Sequence, residues 1–225
     1  MRLGRPRLHL RETGSTNARA RELAEAGAPH GTIVTAGLQT AGRGRQGRAW
    51  ATPAGQALAV SLVVRGPDSL LSLRAGLAVA DLAGPDARVK WPNDVLLDGR
   101  KVAGVLVEGR PQEDWAVVGM GINAALDLAA LPAELRGRAG TLGLRPSELP
   151  RALAQLMEAL AERLTEPPAA VLDALRARDV LAGRPVRWDG GSGTAAGIDP
   201  DGALLVRLVD GGELALAAGE VHLAS

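Results

Sequence analysis

The chain has no cysteine, no tyrosine and no phenylalanine. Without cysteine, disulfides and thiolate metal sites are excluded. The three histidines, His9, His30 and His222, lie far apart in sequence, which argues against a histidine-built zinc site. Tryptophan is the only aromatic, so the core must be built from Leu, Val and Ala. No apolar run approaches the length of a membrane span. The N-terminus, MRLGRPRLHLRE, has basic residues but no apolar stretch behind them, so it does not read as a secretory signal, and a cytoplasmic protein is expected. A strong charge of one sign is also missing. A net charge of +1 over 225 residues argues against a protein that works mainly by coating nucleic acid. Lysine is nearly absent: Lys90 and Lys101 are the only two, and arginine serves almost everywhere else. An ammonium is a compact point charge that reaches a single oxygen, whereas guanidinium is a planar fork. Either the two lysines are chance survivors in an arginine-biased chain, or something at 90 and 101 needs an ammonium.

What is present is ample apolar material, 46% of the chain, enough for one substantial domain and a small satellite. Residues 7–12 alternate and read as a strand. Ser15 is placed to cap a helix that stops near Gly27. Residues 32–36 and 56–64 read as buried strands, with a helix over 67–82. Residues 88–91 form a short strand that Pro92 ends. Strand 95–97, the Asp98-Gly99 turn and strand 101–108 make a hairpin, and 115–120 adds another strand. Residues 128–146 read as loop. Residues 147–164 form an amphipathic helix with Ser147 as its cap, and 167–180 another helix. From residue 183 the texture changes to five short runs between Gly- and Asp-rich turns, as in a small all-β barrel. The expected division is 1–182 and 183–225.

Several polar stretches interrupt the apolar runs. Ser15, Thr16 and Asn17 open a helix, where hydroxyls both cap and face a ligand. Gln39-Thr40-Ala41-Gly42-Arg43-Gly44-Arg45-Gln46-Gly47-Arg48-Ala49-Trp50 interleaves glycine with arginine. Glycines let backbone N–H groups approach an anion, and arginines supply paired donors. This is neither a Walker loop nor the dinucleotide fingerprint. A loop so rich in glycine and charge is expected to be mobile until a ligand arrives. Trp50 either stacks on a planar base or packs in the core. Lys90-Trp91-Pro92-Asn93-Asp94 and Lys101-Val102-Ala103-Gly104 flank one hairpin, and Gly119-Met120-Gly121-Ile122-Asn123 closes the last strand. The only asparagines, Asn17, Asn93 and Asn123, each sit beside one of these stretches.

In this order the motifs resemble those of the biotin–protein ligases, over most of residues 13–123, and the C-terminal barrel fits as well. The resemblance implies an α+β fold, a mixed β-sheet flanked by helices and related to the class II synthetases, followed by an SH3-like β barrel. It implies an enzyme that joins biotin to ATP with Mg²⁺ to give biotinyl-5′-AMP, then transfers the biotinyl group to one lysine of a biotin carboxyl carrier protein of acetyl-CoA carboxylase or a related carboxylase. By the same resemblance Ser15, Thr16 and Gln39 bind the biotin ring or hold its pocket. Gly42, Arg43, Gly44 and Arg45 close over the biotin tail and adenylate. Trp50, Asn93 and Asn123 lie on the ATP side, with Arg45 and Arg48, and Lys101 contacts the carboxylate and α-phosphate beside Gly104 and Gly121. Adenylation joins two anions, so Lys101 with Arg43 or Arg45 is expected to stabilise the charge that builds on the phosphoryl oxygens. Asp94 is read two ways: it accepts or orients the acceptor lysine's proton, or it caps the turn after Pro92. Ala124 and Ala125 stand where such ligases often carry a second polar residue, which argues against a nucleotide contact there. Too few residues precede Ser15 for a winged helix-turn-helix, so no operator binding is expected; a monomer and a homodimer both fit. Three rivals remain: a lipoate or octanoate ligase or transferase of the same fold, a non-enzymatic nucleic-acid-binding module using the Arg/Gly loop as a phosphate clamp, and an inactive paralogue that binds biotin without turnover, against which the presence of Lys101 and Arg43 argues.

Overall fold

A computed structural model describes residues 3–51 and 53–224. In chain order it contains β1 (Arg7–Thr13), α1 (Thr16–Glu25), β2 (Ile33–Gln39), β3 (Leu58–Arg65), α2 (Leu71–Ala83), β4 (Arg88–Lys90) and β5 (Asp94–Leu97). There follow β6 (Arg100–Arg110), β7 (Trp115–Ile122), α3 (Ala133–Arg136), α4 (Leu149–Thr165) and α5 (Pro168–Arg176). The chain ends with β8 (Pro185–Trp188), β9 (Gly191–Ile198), β10 (Leu204–Arg207), β11 (Glu213–Leu216) and β12 (Val221–Leu223). Strands β1 to β7 form one mixed sheet in the order β1-β2-β3-β7-β6-β5-β4, with β1 and β2 parallel and the other pairs antiparallel. Among the described residues no helix is long and apolar enough to cross a membrane.

The period of two along a strand assigns each face of this sheet. On one face Leu58, Val60, Leu62 and Val64 of β3 join Ala116, Val118, Met120 and Ile122 of β7 beneath α2, and α4 packs on α2. On the other face Val63, Trp115 and Val117 meet Ala20 and Ala24 of α1. Further along this second face the side chains are Ser61, Gly119 and Gly121, with Gly104 and Leu106 on β6; register pairs Gly104 with Gly121 and Leu106 with Gly119. The apolar cover ends with α1, and a floor with few side chains begins there.

Strands β8 to β12 form an antiparallel sheet in the order β11-β10-β9-β8-β12, the five short runs expected of an SH3-like barrel. Its buried residues, Val186, Ala195, Ile198, Leu204, Val206 and Val221, belong to the same apolar cluster as α2 and the main sheet. Trp91 Nε1 donates to Gly202 O at 2.9 Å across the junction.

Some local expectations need correction. Ser15 occupies the N-cap position of α1, but its side chain makes no cap bond. Gln39 Oε1 takes that place and accepts from the Thr16 N–H at 2.8 Å. Ser147 does not cap α4. It lies in a 3₁₀ turn, Pro146–Glu148, which Glu148 ties back by accepting from the Arg145 N–H at 2.8 Å. The helix expected to reach residue 180 stops at Arg176, because the following backbone adds to the sheet edge: Val89 N–H donates to Arg178 O at 2.9 Å and Val180 N–H to Val89 O at 3.1 Å. Residues 128–146, expected as loop, hold a 3₁₀ turn and the single turn α3. The Arg/Gly loop is a folded hairpin. Trp50 N–H donates to Gly42 O at 2.8 Å and Gly44 N–H to Arg48 O at 2.7 Å, around a 3₁₀ turn at Arg45–Gly47. The tip turns through positive φ at Gln46 and Gly47, and glycine adopts that conformation without cost.

Candidate active site

A cavity of about 240 Å³ opens over the glycine floor, roofed by the hairpin of residues 42–50. A wider groove of about 560 Å³ between the N-terminal segment and α4 holds none of the motif residues. One end of the cavity is neutral and hydrogen-bonding. Thr16 Oγ1 lies 3.0 Å from Gln39 Oε1, and the Ser61 hydroxyl lies 2.8 Å from Thr16 Oγ1 and 2.6 Å from Asn17 Oδ1. Asn17 Nδ2 donates to Glu108 Oε2 at 2.7 Å and to Leu106 O at 3.3 Å. Ser15, Thr16, Asn17 and Ser61 are all buried, so this network is held rigidly. Gly119 makes room for it, since a Cβ there would stand 2.1 Å from Asn17 Oδ1.

The middle is set by Trp50. Its indole lies over the paired glycines, with a Cβ at Gly121 falling 2.5 Å from the ring and one at Gly104 falling 3.4 Å away. Trp50 is therefore a wall of the cavity and not a core residue. Its Nε1 is buried and finds no hydrogen-bond partner among the described residues, and the Lys101 ammonium stands 5.5 Å from the ring centroid, a cation–π contact.

The other end is cationic. Arg43, Arg45, Arg48, Lys90 and Lys101 line it. Lys101 Nζ lies 2.6 Å from Asp94 Oδ1, so the Asp94 carboxylate is on Lys101. Arg43 faces Glu108 at 3.5 Å, and Arg48 pairs with Glu220. Arg45 donates to Asn93 Oδ1 at 3.2 Å and to Gly219 O at 3.1 Å. Burial pushes the Lys90 ammonium below its ordinary value, against the opposing pull of Asp94 and Glu220; burial does the same to Arg45. Desolvated cations of this kind favour an anionic ligand. The arrangement accepts a molecule with a neutral polar head, a slim apolar arm that passes Trp50, and an anionic end.

The comparisons with known proteins agree with this geometry. Residues 10–124 match the model of the biotin/lipoate A/B protein ligase family. The chain belongs to that family. Among curated members of the ligase family, the biotin–[acetyl-CoA-carboxylase] ligase of Mycobacterium tuberculosis is 36% identical over 239 residues, covering 94% of this chain and 87% of that protein. The bifunctional ligase/repressor BirA of Bacillus subtilis is 39% identical over 147 residues, covering 60% of this chain and only 45% of that longer protein. Among solved structures, the biotin protein ligase from Aquifex aeolicus in complex with biotin and ATP superposes with a TM-score of 0.80 at 25% identity, over 98% of this chain and all of that one.

For this ligase-family chain the structure gathers Ser15, Thr16, Gln39, Arg43, Gly44 and Arg45 around the cavity. It adds Arg48, Trp50, Asn93, Asp94, Lys101, Gly104 and Gly121. Two expected residues lie outside the lining. Gly42 is buried beneath the hairpin, where a Cβ would meet Trp50 O at 2.4 Å, so its part is to let the hairpin close. Asn123 is buried behind the floor and donates to Gly140 O at 3.1 Å and Lys101 O at 3.4 Å. It fixes the backbone that carries Lys101.

Sequence reasoning missed Ser61, Glu108 and Glu220 as site residues, and did not assign Asn17 a contact. Ser61 was visible as the only polar residue ahead of the terminal Arg65 in an otherwise apolar strand, LAVSLVVR. Glu108 ended the strand read at 101–108. Nothing in the sequence pointed to Glu220, which the C-terminal sheet delivers. Among the described residues no group of three His, Cys, Asp or Glu side chains is placed to hold a metal.

Proposed function

We propose that this ligase-family protein is a biotin–[acetyl-CoA-carboxylase] ligase. It activates biotin with ATP and passes the biotinyl group to a lysine of a biotin carboxyl carrier protein. The observation that carries this reading is the two-ended cavity: a buried Thr16–Gln39–Asn17 network at one end and the Lys101–Asp94 pair at the other, with Trp50 between. The ureido ring of biotin, a neutral donor and acceptor, suits the first end, and its carboxylate reaches the second.

In the first step a biotin carboxylate oxygen attacks the α-phosphorus of ATP. The bond from that phosphorus to the bridging oxygen breaks, and pyrophosphate leaves with the electron pair. Lys101 and the hairpin arginines offset the charge that builds on the phosphoryl oxygens, in a site the hairpin shields from water. Asp94 holds the Lys101 ammonium in position. In the second step the neutral amine of the acceptor lysine attacks the acyl carbon and AMP leaves with the electron pair. The proton lost by the nitrogen passes to Asp94 or to solvent. Magnesium, where it accompanies the nucleotide, would add positive charge beside Lys101 and the hairpin arginines.

Three further readings complete the proposal. Ser15, Gly104 and Gly121 shape the biotin pocket. Arg45, Arg48, Trp50 and Asn93 serve the nucleotide. The chain divides at residues 182 and 183 into catalytic and SH3-like parts. The deciding experiment is pyrophosphate release with ATP and, in parallel, biotin, lipoate or octanoate, followed by labelling of a carrier domain. Release with biotin alone and labelling of one carrier lysine support the reading. Release with lipoate or octanoate and none with biotin would reassign the substrate.

A further inference from the structure

We propose that Glu220 is a positioning residue: through Arg48 it latches the hairpin of residues 42–50 shut over the acyl-adenylate. The inference rests on the biotin-activating reading and extends it, giving the C-terminal sheet a part in retaining the intermediate. The latch joins the C-terminal sheet to the hairpin. On the sheet side Val221 is buried in the common core, and β12 is paired with β8 through Val221 and Trp188. Gly219 and Glu220 therefore project from an anchored strand end. On the hairpin side Arg45 and Arg48 flank the turn at the tip. Arg48 Nη2 donates to Glu220 Oε2, and Arg45 Nη2 donates to Gly219 O at 3.1 Å. The tip is thus held by two neighbouring residues of the C-terminal sheet.

Glu220 also lines the cavity, in a region otherwise dominated by cations. A carboxylate facing a polyphosphate site opposes the ligand unless it is neutralised. Arg48 neutralises it, and the same guanidinium lines the cavity that the phosphates would enter. Glu220 and the phosphates therefore compete for Arg48. With a triphosphate present the competition favours the phosphates and loosens the latch. Once pyrophosphate has left, a single phosphate lies below, and Arg48 returns to Glu220. The hairpin is then held most firmly over the reactive mixed anhydride, the state in which escape or hydrolysis would waste it.

The test loads the full chain with synthetic biotinyl-5′-AMP and follows its escape by rapid filtration, so the readout does not depend on catalysis. Glu220→Gln keeps size and shape and removes the charge. Its complex is expected to lose the adenylate about three- to fivefold faster, the top of the range for a partly exposed ion pair. Wild-type escape is expected to quicken with added salt and that of the variant to change little, a response that a purely structural role would not produce. Arg48→Gln is expected to lose the adenylate at least as fast as Glu220→Gln, since it also removes a guanidinium from the cavity wall, and the double variant to escape no faster than Arg48→Gln alone. Wild-type retention in Glu220→Gln, or additive effects in the double variant, would overturn the latch. If Glu220→Gln does not fold, Arg48→Gln breaks the same pair from the exposed side, and wild-type retention there overturns it equally. Failure of the wild-type chain to hold biotinyl-5′-AMP at all would instead sink the functional reading.

Discussion

Lys101 and Trp50 show how much of this site depends on single residues. Lys101 is held by Asp94 at 2.6 Å and its backbone carbonyl accepts from Asn123, so both ends of the residue are fixed. A charge that acts on the transition state and touches the ground state less should affect rate more than binding. Lys101→Ala is expected to lower biotin- and ATP-dependent pyrophosphate release by about 100-fold or more while biotin binding changes much less. Calorimetric titration of biotin beside the rate assay checks this, and equal loss of both would remove Lys101 from its role. Gly121 is as exacting in the opposite sense. A methyl group there would fall 2.5 Å from the Trp50 ring, closer than Cβ atoms approach other groups. Gly121→Ala is expected to unseat Trp50, shift tryptophan fluorescence and reduce adenylation by roughly tenfold or more, with the thermal midpoint nearly unchanged. Normal fluorescence and activity would show that the indole rests elsewhere.

At the scale of elements, most strands and helices were legible because period-two and helical patterns are strong in β3, α2 and α4. The failures cluster at element ends. Ser15 and Ser147 looked like caps, yet Gln39 and the Arg145–Glu148 pair serve instead. Capping needs only an acceptor in the right place, and Gln39 is brought there by β2 from outside the helix. Arg74 is a related case. It is buried in α2, bonds Asp68 at 2.9 Å, and donates to the carbonyls of Arg163 and Glu166 at 2.5 and 2.9 Å, closing the C-terminal end of α4. An arginine in a largely apolar helix gives no sequence sign of this task. Arg74→Ala would leave those carbonyls unpaired and is expected to cost about 2–4 kcal/mol, measured as a lower denaturation midpoint. A change under about 0.5 kcal/mol, typical of surface sites, would show that water replaces it.

At the scale of the whole molecule, the C-terminal sheet completes the site. It shares the main core, receives the Trp91 indole N–H at Gly202, and puts Glu220 and Val221 on the cavity wall. Lys90 sits where the sheet edge, the hairpin and this second sheet meet, and burial there depresses its proton affinity from the ordinary 10.5. Between the folded and ordinary values the unfolded chain binds more protons, so stability rises with pH across that window. The penalty is fully present below the folded value and is relieved as pH approaches 10.5. Lys90→Met is therefore expected to raise the ligand-free stability at neutral pH, read as a higher thermal midpoint. The gain should shrink toward pH 10, while the Michaelis constant for ATP rises. Thermal melts at pH 7 and 10 test the sign; a gain that grew with pH would contradict it.

Residue type and spacing were enough to show the periodic elements, the Asp98-Gly99 hairpin turn, and a set of polar motifs specific enough to point to one family. Those features are local and depend on a few turns of chain. Which polar atoms meet was settled by tertiary packing. It turned the Arg/Gly loop into a folded roof, withdrew Asn123 behind the floor, and brought Ser61 and Glu108 against Asn17. It also separated the two lysines, pairing Lys101 with Asp94 and leaving Lys90 desolvated at the junction. Glu220 is the clearest case. It meets Arg48 from 172 positions away, a distance over which no periodicity in the chain carries information and only the packing of two sheets into one core does.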